Sequence, residues 1–157
     1  VNIMDRIKGL NDNVKFVFIG DGELREKIEK RIEEKKLQDK VHMLGARNDV
    51  NKWYSALDCL IMPSLFEGLP FTLVEAQASG LPCVVSDSVS SKADLTGLVQ
   101  YIGLEEGLDI WTDKILEECQ MVRRDMTQQL VRAGYSITDT ANQVSEIIKK
   151  ELEGLDI

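Results

Sequence analysis

The stretch that most constrains the fold is residues 59–87. Cys59-Leu60-Ile61-Met62 is a short apolar strand ended by Pro63, and Cys83-Val84-Val85 is a second buried-strand candidate. Between them, Phe71–Ser79 reads as a short helix. Pro70 falls at its first turn, where a missing N–H costs nothing. Gly80 fits a left-handed C-terminal cap, and Pro82 stops any continuation. Strand, loop, helix, strand is a βαβ unit, the connection that parallel strands require.

The loop before that helix has a chemical logic. The N–H groups of Phe71, Thr72 and Leu73 are predicted to lack intrahelical partners, and the helix dipole adds partial positive charge there. A diphosphate can rest on such an end without a basic side chain. Gly68 lets the backbone approach a ligand closely. Glu67 and Glu75 flank the place. Carboxylates repel phosphate but accept hydrogen bonds from sugar and ribose hydroxyls. The residues suggest a ligand with a diphosphate in the middle and hydroxylated rings at both ends.

Glu67 and Glu75 stand within Phe-Glu-Gly-Leu-Pro-Phe-Thr-Leu-Val-Glu-Ala, followed by Gly-Leu-Pro-Cys-Val-Val-Ser-Asp. This order of residues resembles the donor-site signature of the retaining glycosyltransferases of family 4, the group 1 glycosyl transferases, which have the GT-B fold. The resemblance implies that Glu67 contacts the donor sugar's hydroxyls, which makes it the one candidate for a catalytic role. Glu75 would contact the ribose hydroxyls. The backbone of Gly68, Leu69, Pro70, Phe71, Thr72 and Leu73 would hold sugar and diphosphate. The family uses no agreed protein nucleophile, so neither glutamate is expected to act as a glycosidase-type acid or nucleophile. No metal or cofactor is expected; the substrate is a UDP- or GDP-type sugar nucleotide. A helix-capping Glu and a solvated Glu are the plain reading of the same pair outside this motif.

At 157 residues the chain is expected to form one domain with one core. Its formal net charge of −8 argues against nucleic acid as a partner. The same charge means that an anionic ligand must be held by local donors, because the overall field opposes it. No apolar run approaches the ~20 residues of a membrane span. Cys59, Cys83 and Cys119 lack CxxC spacing and read as reduced thiols of a cytoplasmic protein.

Taken in order, residues 1–12 resemble the tail of a helix with Ile3, Ile7 and Leu10 on one face. Relatives carry a strand and a basic loop before this helix. The resemblance therefore makes residues 1–157 a donor-binding fragment that lacks its first strand, the phosphate-binding basic pair and an N-terminal acceptor domain. Such a fragment is expected to transfer no sugar alone. Any attachment to the inner face of the membrane would run through the missing part.

Val14–Ile19 is the next expected strand, ended by Gly20-Asp21-Gly22. Gly20 and Gly22 fit either a donor contact at the carboxyl end of a parallel sheet or a plain connecting turn. Arg25 stands at the third glycine position of a dinucleotide fingerprint, so that motif fails. Glu23–Lys36 is an amphipathic helix with Leu24, Ile28 and Ile32 toward the sheet and a Glu26–Lys30 pair outside. Val41–Leu44 is a strand, and its lone His42 reads as a packed or edge residue. Arg47 fits either a guanidinium plane stacked on the donor's base or an exposed loop residue. Asp49 is expected to cap helix Val50–Ala56, which packs through Trp53, Tyr54 and Leu57.

Strand Gly97–Ile102 is expected to complete the sheet. Helices over 109–120, 126–133 and 139–152 follow, the first with Ile110, Trp111, Ile115 and Leu116 on one side. The fold class is α/β: a Rossmann-like parallel sheet flanked by helices, the C-terminal half of a GT-B fold. The preferred function is binding of the NDP-sugar donor in an enzyme that builds capsule, exopolysaccharide or envelope glycan. A nucleotide-binding or regulatory module, or an assembly domain, is the alternative.

Overall fold

A computed structural model describes residues 1–153. The elements run α1 (Asn2–Lys8), β1 (Phe16–Phe18), α2 (Arg25–Glu34), β2 (Val41–Met43), α3 (Val50–Ala56), β3 (Leu60–Met62), α4 (Phe71–Ala78), β4 (Cys83–Ser86), β5 (Val99–Ile102), α5 (Leu108–Glu118), α6 (Thr127–Arg132) and α7 (Ile137–Glu153). The α/β class and the helix-linked parallel strands agree with the sequence reading. β1, β2 and β3 are shorter than their apolar runs, because pairing ends before the apolar residues do, while β4 runs one residue past its own to Ser86.

The single sheet expected from the sequence is divided. β1 pairs only with β2, and β3-β4-β5 form a second parallel sheet. The alternation of a strand still sets two faces. On one face Phe16, Phe18, Met43, Cys59, Ile61, Val84 and Ile102 share a core with Met4, Ile7, Ile32, Trp111 and Ile115 from α1, α2 and α5. On the other, Leu60, Met62, Cys83, Val85 and Val99 meet Tyr54, Leu73 and Ala76 from α3 and α4. The first core runs beneath both sheets although no ladder joins them. β4 is buried throughout and β1 and β3 only in part, as edge strands are.

Several helix faces differ from the expected ones. Met4, not Leu10, is the second anchor of α1; Leu10 lies past the helix and is 58% exposed. Leu24 is the residue before α2 and stays exposed, while Ile28 and Ile32 pack as expected. Ion pairing on α2 runs from Arg25 to Asp21 and Glu29 and from Arg31 to Glu34, rather than from Glu26 to Lys30. Ile110 faces outward from α5 beside the buried Trp111. All three cysteines are free, and burial pushes the Cys83 thiol up.

Gly80 ends α4 as expected, with φ of +65°. A Cβ there would also stand 2.3 Å from the carbonyl oxygen of Arg124. Gly80→Ala meets both the left-handed penalty and a backbone clash. It is expected to cost at least ~2 kcal/mol, read as a lower urea midpoint. An unchanged midpoint would contradict this packing of the Arg124 segment on α4.

Candidate functional site

The structure brings Glu67, Gly68–Leu73 and Glu75 together around the start of α4. The loop before it is pinned from behind by the end of β4 and the segment that follows. Ser86 Oγ donates to the carbonyl of Ser64, Ser64 Oγ donates to Glu67 Oε1 at 3.4 Å, and the Ser90 N–H donates to the Glu67 carbonyl at 3.4 Å. Glu67 forms an isolated parallel bridge with Val89. The Glu67 backbone is therefore held and the residue half-buried, its carboxylate meeting only the Ser64 hydroxyl among the described residues, while Gly68 faces open space.

Pro70 is the residue before α4, and its carbonyl accepts from the Leu73 N–H at 2.9 Å and the Val74 N–H at 3.4 Å. This corrects the expectation for Leu73: its N–H is already used. The N–H groups of Phe71 and Thr72 remain to meet an anion, a pair rather than a trio. Around them Leu65, Phe66, Leu69 and Phe71 are exposed, an apolar rim beside polar donors.

Two residues that read from the sequence as packing positions, or not at all, shape the site. Tyr54 of α3 is 5% exposed, and its hydroxyl donates to Glu75 Oε2 at 3.1 Å. Gln77 is fully buried on α4. Its amide donates to the carbonyls of Leu73 and Ala93 and accepts from the Leu95 N–H and Thr96 Oγ1. A helical spacing of two from Glu75 was the available signal for Gln77: a polar residue on the inner face of an apolar helix must have partners.

The other candidates lie elsewhere. Gly20 and Gly22 line a cavity with Phe18, Leu24, Arg25 and Ile28 at the end of β1. The Gly20 N–H donates to the Gly45 carbonyl at 2.8 Å, which ties this turn to the one after β2. Arg47 is engaged: Nε and Nη2 donate to the two carboxylate oxygens of Asp49 at 2.6 and 2.9 Å, and its guanidinium lies 5.6 Å from the centre of the Trp53 ring. Asp49 precedes α3 but makes no capping bond, because Arg47 holds its carboxylate; that contact also keeps its pKa below the usual range. Lys92 is exposed. Among the described residues no helix is long and apolar enough to cross a membrane.

Residues 1–97 match the family described as glycosyl transferases group 1. The chain belongs to this family. Among its relatives, EpsF of Bacillus subtilis, which carries a glycosyltransferase name, is 38% identical over 124 residues, covering 76% of this chain and 32% of EpsF. An Escherichia coli UDP-Gal:alpha-D-GlcNAc-diphosphoundecaprenol alpha-1,3-galactosyltransferase is 41% identical over 73 residues, 46% of this chain and 19% of that enzyme. The chain thus spans about a third or less of these relatives' lengths. The crystal structure of Anabaena HepE in complex with UDP superposes with a TM-score of 0.68 at 18% identity, over 95% of this chain and 44% of HepE. That likeness establishes the GT-B type of fold for this group 1 chain.

Burial, then the hydrogen bond to Glu75, pushes the Tyr54 phenol from its ordinary 10 to about 12. The folded protein therefore favours the protonated phenol. This contribution to stability is fully present below pH 10 and is lost as pH rises toward 12. Absorbance at the phenolate band should show Tyr54 titrating near 12, and lower in Glu75→Gln, where burial alone still holds it above its ordinary value. A Tyr54 titration that Glu75→Gln leaves unmoved would contradict the contact.

Proposed function

We propose that this chain is the donor-binding part of a longer retaining glycosyltransferase, which moves a sugar from an NDP-sugar to a hydroxyl acceptor during polysaccharide synthesis. The observation that carries the reading is the start of α4. Two backbone N–H groups without a partner among the described residues lie there between Glu67, whose backbone is held, and a second carboxylate, Glu75. The diphosphate rests on the Phe71 and Thr72 amides without a metal, which preorganises donors where leaving-group charge develops. Glu67 accepts from the sugar hydroxyls and Glu75 from the ribose. In this reading Gly20, Gly22 and Arg47, on the turns after β1 and β2, contact other parts of the donor.

The UDP in the HepE complex supports a uridine nucleotide as the first ligand to try. The acceptor domain and any association with the inner membrane face belong to other parts of the full enzyme. The alternation of ladder bonds along a parallel strand turns the Val17 and Ile61 backbone groups away from β2 and β4. One strand running into α1 would use both edges and restore the sheet.

Calorimetry with UDP and UDP-glucose tests the sugar role. Glu67→Ala is expected to leave UDP affinity within about two-fold and to weaken UDP-glucose about ten-fold, the loss of one charge-assisted hydrogen bond. Equal affinities of wild type and Glu67→Ala for UDP-glucose would overturn it.

A further inference from the structure

Glu75 lies on α4, exposed, and no cation pairs with it among the described residues. Its one side-chain hydrogen bond there comes from Tyr54, at Oε2, which leaves Oε1 open. Tyr54 is not free to follow Glu75 about. Its ring is buried with Leu73, Ala76, Leu81 and Cys83, in the core that fixes α3 against α4. An exposed glutamate normally samples many rotamers, and ordering one on binding is costly. Here a rigid phenol holds one oxygen before any ligand arrives. The remaining lone pairs form a fixed acceptor for two adjacent hydroxyls, the pattern of a ribose 2′,3′-diol.

We propose that Tyr54 is a positioning residue for nucleotide recognition: it fixes the Glu75 carboxylate so that the site selects a ribonucleoside diphosphate over its 2′-deoxy form. This rests on the ribose role proposed for Glu75. The plainer account is that a buried phenol needs an acceptor and Glu75 happens to supply it. The two accounts differ in what Tyr54→Phe does to ligand choice. Loss of a purely structural bond weakens UDP and 2′-deoxy-UDP alike. Loss of a positioning bond weakens only the ligand whose diol reads Glu75.

The experiment is calorimetric titration of the 157-residue chain and its variants with UDP and 2′-deoxy-UDP. Wild type is expected to prefer UDP. Tyr54→Phe is expected to weaken UDP about five-fold and 2′-deoxy-UDP less than two-fold, so the preference shrinks. In a Glu75→Gln background Tyr54→Phe is expected to add nothing further to the loss of UDP affinity, since it acts through that carboxylate. A wild type that binds both nucleotides equally overturns the ribose role of Glu75, and this inference with it. A wild type that prefers UDP, with Tyr54→Phe keeping the same preference, overturns the role of Tyr54 alone. So do additive losses in the double variant. Melting curves of each variant separate a fold defect from a binding defect. If Tyr54→Phe does not fold, the Tyr54 ring resonances of wild type decide: they should shift with UDP and stay in place with 2′-deoxy-UDP, and equal shifts overturn the proposal.

Discussion

Gln77 holds the helix that carries the site. It is fully buried, and its amide uses both donor hydrogens and both acceptor lone pairs within the protein. A buried amide left half-satisfied would be costly, so this arrangement admits one position of α4 against the 93–96 segment. The end of β4 and the stretch after it also hold the Glu67 loop, Ser86 through the Ser64 carbonyl and Ser90 through the Glu67 carbonyl. Both glutamates are therefore referred to one rigid frame: Glu67 from behind the loop, Glu75 through α4 and Tyr54.

Under the proposed reading, that frame is what would let an acidic chain offer an anion site. The formal net charge is −8, and no basic side chain is needed at the start of α4. Backbone N–H groups do not depend on net charge, and their direction is set by the helix. The flanking carboxylates add repulsion toward phosphate but acceptance toward hydroxyls. In the proposed reading a ligand carrying both groups is favoured over a bare diphosphate, a difference in affinity made partly by an unfavourable contact with the wrong ligand.

The βαβ unit of residues 59–87 was legible because its signals agree: apolar runs, Pro70, Gly80 and Pro82 all point to the same boundaries. α3 was readable to the residue. The partners of side chains were not. Nothing local says that Tyr54 meets Glu75 or that Asp49 prefers Arg47 to capping α3; both contacts depend on tertiary placement or rotamer choice. Leu24, Leu10 and Ile110 misled for a related reason. Helical periodicity assigns a face, but each of them lies at or beyond an end, or beside a larger buried neighbour. The division of the sheet was invisible, since strand pairing is non-local. The use of the Leu73 N–H by Pro70 was missed because a turn before the helix supplies an acceptor that helix counting omits.

The central claim is that the first amides of α4 receive the donor's diphosphate. The most direct measurement is an amide NMR titration of the chain with UDP. The account predicts that the Phe71 and Thr72 resonances move most, that Leu73 moves less because its N–H stays on Pro70, and that the cavity at Gly20–Gly22 follows only weakly. Largest shifts at Gly20–Gly22, with Phe71 and Thr72 unmoved, would contradict it.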